Sequence, residues 1–242
     1  RIGSSRIKKK NVKNLAGTSS GAQTAALLCC GYSSNELEDV LRNAPWEKIL
    51  RSNLFKGIYF FFKKFGYYNG MQLEKYLDDL IYLKTGKKKL TFKELYDMSN
   101  IHLKIGVCSL RDQEFKYIDY ETYPDMPVSK GLRASSSIPF IFTSTKWKDE
   151  LFIDGGLVGN LPTTSFPYNK CLAFSLISDN EILDNEMVIR QLNDKNPKNI
   201  FSFIKVGLNI LYLNAQELYS PRNKYLKNIE YIEINTDNVG LL

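Results

Sequence analysis

Residues 17–21 read Gly17-Thr18-Ser19-Ser20-Gly21, a Gly-x-Ser-x-Gly pattern. A serine hydroxyl is a weak nucleophile at neutral pH; it reacts when it is exposed, oriented and next to a base. A sharp turn from strand to helix meets the first two needs, because it lifts the central serine onto the tip of a strained bend. Glycines on either side lack a Cβ, so the helix can pass close to the strand. The helix N-terminus then aims free N–H groups at the place where negative charge develops. Ser19 is therefore the candidate nucleophile. Gly17, Ser20 and Gly21 are the candidate elbow and part of an oxyanion hole. A turn that merely shapes the chain would use the same residue types, so the base carries the discrimination.

The chain has one histidine, His102. It lies in an alternating stretch, out of phase with Ile101 and Leu103, and no histidine follows it. In the common hydrolase order the histidine comes after both serine and acid. A Ser-His-Asp triad is thus not expected, and His102 reads as structural. A carboxylate serves as base when it reaches the serine and a dry site tunes its pKa. Asp154 fits: the apolar run Leu151-Phe152-Ile153 delivers it, and Gly155-Gly156 follow. Those glycines permit a sharp turn and the close approach of another backbone. An Asp-Gly surface turn is the plain alternative, but Leu157-Val158 beyond it are too apolar for one.

The elements that must position these two groups alternate between strand and helix, which predicts a layered α/β fold. Val12–Ala16 reads as a strand, and Gly21–Cys30 as a helix of small residues ended by Gly31. Ser33 with Glu36, and Thr91 with Glu94, have capping-box spacing and open two further helices. Leu37, Val40 and Leu41 form the apolar face of the first. Leu73, Tyr76, Leu77, Leu80 and Ile81 recur at helical spacing. Residues 101–107 alternate as a half-buried strand, Arg111-Asp112 turns into a strand over Glu114–Tyr120, and Pro127 opens a helix running to about Ser136. Leu151–Ile153, Cys171–Ile177 and Ile229–Ile234 read as strands, and Asn199–Glu217 as a helix.

The motifs together resemble the patatin-like phospholipase family. Gly17-Thr18-Ser19-Ser20-Gly21-Ala22 looks like that family's nucleophile elbow. Asp154-Gly155-Gly156, with Asn160 and Pro162 after it, looks like its Asp-Gly-Gly motif. Arg133-Ala134-Ser135-Ser136-Ser137-Ile138-Pro139-Phe140 resembles the segment before that motif, and Thr91-Phe92-Lys93-Glu94-Leu95 a family helix start. The likeness runs from about Asn11 to Asn180, with a weaker tail. It implies a three-layer α/β/α fold around a mostly parallel central sheet, with no metal and no cofactor. It also implies a Ser-Asp dyad that cleaves acyl esters of phospholipids or neutral lipids through an acyl-enzyme. The family places a Gly-rich oxyanion loop upstream of the nucleophile, whereas Arg1-Ile2-Gly3-Ser4-Ser5-Arg6 holds one glycine. The expectation is a single domain over 1–242 whose first strand, oxyanion loop and first helix lie upstream of Arg1. A catalytically impaired lipid-binding relative is the alternative, and an ordinary esterase with a late histidine ranks below both.

Composition sets the remaining bounds. A chain of 242 residues, 43% hydrophobic and 24% charged, can bury one sizeable core. Its net charge of +7 suits an anionic membrane surface, nucleic acid or only a lysine-rich solvated exterior. The scattered basic residues and the lack of a recognition motif argue against nucleic acid. Cys29, Cys30, Cys108 and Cys171 lack metal-ligand spacing and suggest buried, reduced thiols. No apolar run is long enough to span a bilayer. The residues are compatible with a cytoplasmic protein or one peripheral on membranes, and export stays open. Trp46 to Tyr68 interleaves aromatics with Lys48, Lys56, Lys63 and Lys64. Two readings apply: a lid or membrane-docking helix, or, the favoured one, a helix packed on the core with its lysines in water.

Overall fold

The computed structural model describes residues 12–166, 171–177 and 229–235. In chain order its elements are β1 (Asn14–Thr18), α1 (Ser20–Cys29), α2 (Ser34–Arg42), α3 (Trp46–Ile49), α4 (Leu54–Lys64), β2 (Gly66–Tyr68), α5 (Met71–Thr85) and α6 (Phe92–Ser99). Then come β3 (His102–Ser109), β4 (Glu114–Ile118), α7 (Val128–Ser135), β5 (Phe140–Phe142), β6 (Thr145–Trp147), β7 (Glu150–Asp154), β8 (Cys171–Ile177) and β9 (Ile229–Asn235). Strands and helices interleave as the sequence predicts, giving an α/β fold.

β3 organises the main sheet. β1 runs parallel to it, while β4 and β7 run antiparallel, and β6 continues beyond β7. β2 with β5, and β8 with β9, form parallel pairs. Because Ile105 pairs with both Gly17 and Ile118, β1 and β4 occupy opposite edges of β3. Val107 pairs with both Lys116 and Asp154, so β7 shares an edge with β1. The two strands meet end to end there: Thr18 lies opposite Gly106, and Asp154 opposite Val107.

The alternation of β3 separates its faces. Leu103, Ile105 and Val107 are buried in one core with Phe152, Ala22, Ala26, Leu77 and Leu132. Helices α1, α5 and α7 supply the cover. Each large side chain fully buried here contributes roughly 1.5–3 kcal/mol. Across the sheet, residues 158–166 lie over the other face: Thr18 Oγ1 donates to the Gly159 carbonyl at 2.8 Å, and Lys104 Nζ to that of Ser165 at 3.0 Å.

Both predicted capping boxes form. Ser33 and Glu36 cap α2 reciprocally, as Thr91 and Glu94 cap α6. Gly31, with φ 102°, ends the α1 turn as a left-handed residue. β1 starts later than Val12 and continues to Thr18, because pairing with β3 holds to the residue before the serine. β4 stops at Ile118, short of Tyr120. The Asp119 carboxylate there accepts the N–H groups of Glu121 and Thr122 and turns the chain away. The predicted helix Asn199–Glu217 lies outside the described residues.

The core-packed reading of the aromatic stretch needs correction. In α4, Phe55 is 81% exposed and Phe62 73%, and Leu54, Ile58 and Tyr59 also face outward. The inner face is Gly57, where an added Cβ would fall 2.4 Å from the ring of Tyr67. The helix is anchored through that close contact, and its aromatic side is left uncovered by the described residues. Among the described residues, no helix is long and apolar enough to cross a membrane.

Candidate active site

Ser19 is the single residue between β1 and α1, with φ 52° and ψ −121°. A non-glycine residue at such angles costs about 1–3 kcal/mol and persists only when its surroundings fix it. Two contacts do so here. A Cβ at Gly17 would lie 2.4 Å from the backbone of Gly21, so only glycine lets α1 turn back this tightly over β1. The Ser19 N–H donates to Ser135 Oγ at 2.8 Å, and that hydroxyl donates in turn to the Gly106 carbonyl at 2.7 Å. Ser135, on α7, thus locks the bend to β3.

Past Ser19 the helix offers an anion-friendly end. The first N–H groups of a helix have no partner within it. The Ser19 side chain does not cap them, and the first turn holds no acidic residue. The N–H groups of Ser20 and Gly21 belong to this first turn, an end of the helix that favours negative charge.

Asp154 ends β7 with 4% of its surface exposed. Its N–H donates to the Ser137 carbonyl at 3.0 Å, and its Oδ1 accepts the Gly156 N–H at 2.7 Å. Burial pushes its pKa up. The Gly156 hydrogen bond, and a further one with the Ser19 side chain, lower it only in part, leaving it raised from 3.8 to about 6. Ser19 and Asp154 thus lie close together, consistent with the adjacent positions of Thr18 and Asp154 along β3.

Gly155 and Gly156 have separate jobs. A Cβ on Gly155 would lie 2.6 Å from the backbone of Gly106, so that glycine permits the turn to cross β3. Gly156 supplies the N–H to Asp154, and a Cβ there would sit 3.4 Å from Asn160 Oδ1. The apolar residues after the motif do not continue a strand; Gly155–Leu157 form one 3₁₀ turn.

His102 is remote from this pair. It sits four residues before Gly106 on the same strand, about 13 Å away at strand rise. Its Nε2 meets Asp119 Oδ2 at 3.1 Å, and its ring packs near Tyr120 and Phe166. Burial raises the Asp119 pKa, but hydrogen bonds from Thr122 and His102 outweigh it and the carboxyl stays below its usual range. None of the four cysteines is in a disulfide. Burial pushes Cys30 up to about 12; burial, then the Asp154 charge, push Cys108 up to about 11.

The run Ser135-Ser136-Ser137 does more than its sequence announced. Ser135 holds the bend, and Ser136 Oγ accepts from Gln23 Nε2 of α1 at 3.0 Å. Ser137 gives its carbonyl to Asp154 and its hydroxyl to the Arg133 carbonyl. Three adjacent short hydroxyls beside a predicted helix end were a visible signal; which partner each would take was not.

Residues 6–167 match the family model described as patatin-like phospholipase. That is more than half of the chain, and the chain belongs to this family. Uncharacterized protein R571 of Acanthamoeba polyphaga mimivirus is 28% identical over 233 residues, 96% of this chain and 75% of the viral protein. The probable lipid hydrolase 463L of Invertebrate iridescent virus 6 is 28% identical over 159 residues, 65% of this chain and 54% of its own length. Among solved structures, VipD from Legionella pneumophila has the same fold over 94% of this chain and 56% of its own, with a TM-score of 0.53 at 16% identity. The chain thus spans three quarters of the mimivirus protein but little more than half of the other two.

Proposed function

We propose that the chain is a serine lipid acyl hydrolase, phospholipase A-like, acting on acyl esters of phospholipids or neutral lipids through a Ser19–Asp154 dyad. One observation carries the reading: a buried carboxyl, raised to about 6, next to a hydroxyl held on a strained turn at a helix N-terminus. Membership of the patatin-like phospholipase family and the probable lipid hydrolase of the iridescent virus support the substrate class.

In this reading Ser19 Oγ attacks the ester carbonyl while Asp154 takes its proton. A carboxylate of ordinary pKa is a poor acceptor; one near 6 is better matched to neutral pH yet still mostly ionised there. The N–H groups of Ser20 and Gly21 hold part of the tetrahedral oxyanion charge. Asp154 returns the proton to the leaving alcohol, leaving an acyl ester on Ser19. It then draws a proton from water as hydroxide adds to the acyl carbonyl; the acyl C–Oγ bond breaks, Asp154 returns the proton to Ser19 Oγ, and the fatty acid leaves. In this scheme the carboxyl itself takes the serine proton, so no imidazole is used.

A fluorophosphonate probe tests the reading. Covalent labelling at Ser19, with vesicle or micelle phospholipid hydrolysis abolished in both Ser19→Ala and Asp154→Asn, is the expected result. Labelling at another serine, or full hydrolysis by either variant, would sink it. A lipid that binds wild-type chain without turnover or labelling would identify instead a catalytically impaired lipid-binding protein.

A further inference from the structure

We propose that the outward face of α4, with the adjoining β5 turn, is a docking surface for an anionic lipid bilayer. The proposal deepens the functional reading above, from which it takes only that the substrate is presented by a membrane.

An ordinary surface helix turns its apolar stripe to the core and its charges to water. α4 is arranged the other way. At 3.6 residues per turn, Leu54, Phe55, Ile58, Tyr59 and Phe62 fall on one arc of about 140°, and all are exposed, from 45% for Ile58 to 81% for Phe55. Lys56 and Lys63 line one edge of that arc and are also exposed. Gly57, on the far side, makes the close contact with Tyr67. Large aromatics facing outward with lysines along their edge match what a helix lying in a membrane interface requires.

Charge selects the partner. Residues 48–73 contain Lys48, Arg51, Lys56, Lys63 and Lys64 and no Asp or Glu. This stretch carries five of the chain's seven net positive charges. A second copy docking face to face would oppose cation to cation. An anionic bilayer answers both features, taking the rings into the interface and the ammonium groups at its headgroups.

The patch is also fixed to the rim of the site. β2 follows α4 and pairs with β5, placing Gly66 opposite Phe140. The Phe140 N–H donates to the Phe65 carbonyl at 3.0 Å, and the Phe140 ring centroid lies 6.3 Å from that of Phe61. Phe140 and Ile141 are each 40% exposed and extend the apolar surface. Three residues before Phe140 stands Ser137, whose carbonyl holds the Asp154 N–H. A bilayer seated on this surface therefore meets the chain beside Asp154.

The test uses the 242-residue chain and cosedimentation with phosphatidylcholine vesicles, plain or with about 30% phosphatidylglycerol. Tight binding to the anionic vesicles alone is expected. Phe55→Ser/Phe62→Ser should weaken it at least tenfold at low and high salt. Lys56→Gln/Lys63→Gln should weaken it about tenfold at low salt and little at high salt. Phe62→Cys should react with a water-soluble maleimide and become protected when vesicles are added. Each variant should hydrolyse a water-soluble short-chain ester at the wild-type rate. Variants that bind like wild type overturn the proposal. So does a thiol at position 62 that is protected before lipid is added, since another part of the chain then covers the face. A halved solution mass in the aromatic variant assigns the face to self-association and also overturns it. If wild type fails to cleave the soluble ester while the binding pattern holds, the hydrolase reading falls and the docking surface stands.

Discussion

At the floor of the site, short polar side chains are buried and each is engaged: Ser135 with Ser19 and Gly106, Ser136 with Gln23, Ser137 with Arg133 and Thr145. On the rim, the 11-residue α4 does the opposite, holding Phe55, Tyr59 and Phe62 out of the core. The floor spends its polar groups on geometry: a strained Ser19 and a desolvated Asp154 exist only because neighbours fix them. The rim leaves apolar area uncovered by the described residues, so little of the fold's stability rests on it. Rigid positioning and an exposed apolar face are thus built from different residue types.

The largest expected effect breaks the floor at its chemistry. Ser19→Ala and Asp154→Asn should each lower kcat on the order of 10⁴-fold, read by initial rates on a fluorogenic ester. Their stabilities should diverge. The folded pKa of Asp154, about 6, exceeds its ordinary 3.8, so between those values the folded state binds more protons than the unfolded one. Stability therefore falls as pH rises through that window, and at pH 7 the ionised carboxyl costs roughly 3 kcal/mol. Asp154→Asn should be more stable than wild type at pH 7, by thermal or urea unfolding, and the gap should close below pH 4. A less stable Asp154→Asn would mean that the carboxylate is held favourably and its pKa is not raised. The activity of wild type should follow the same group, with an acid limb near pH 6 in kcat/KM.

Next in size is the backbone under the bend. Gly17→Ala would push a methyl into the start of α1 and should destabilise the chain by about 3 kcal/mol or more, measured by urea unfolding. Ser135→Ala removes one acceptor and one donor from buried partners. It should cost about 1–3 kcal/mol and lower kcat more than it raises KM, because Ser19 loses its support. Smallest is the rim. Phe62→Ser should change stability by no more than about 0.5 kcal/mol although it deletes a whole ring. A loss of several kcal/mol there would mean that the ring is covered in solution, and the contrast between floor and rim would be wrong.

Much of this arrangement was legible residue by residue. The Ser33–Glu36 and Thr91–Glu94 boxes cap helices where their spacing said, because capping joins groups three residues apart. The glycine at 17 marked a close approach that the structure contains. β4 and β1 shifted at their ends, where pairing with β3 and the Asp119 turn overrode the local pattern. α4 was misjudged because an amphipathic pattern shows that one side of a helix is apolar without showing what stands opposite it.

The residues alone determined the alternation of strand and helix, the two capping boxes and the tight strand-to-helix turn at Ser19, since each depends on chemistry within a few positions along the chain. Only the tertiary structure decided that the strands carrying Thr18 and Asp154 end on adjacent positions of β3, and that Phe55, Tyr59 and Phe62 of α4 face out. Both depend on register and packing between segments far apart in sequence, and such contacts are fixed by the assembled sheet and core.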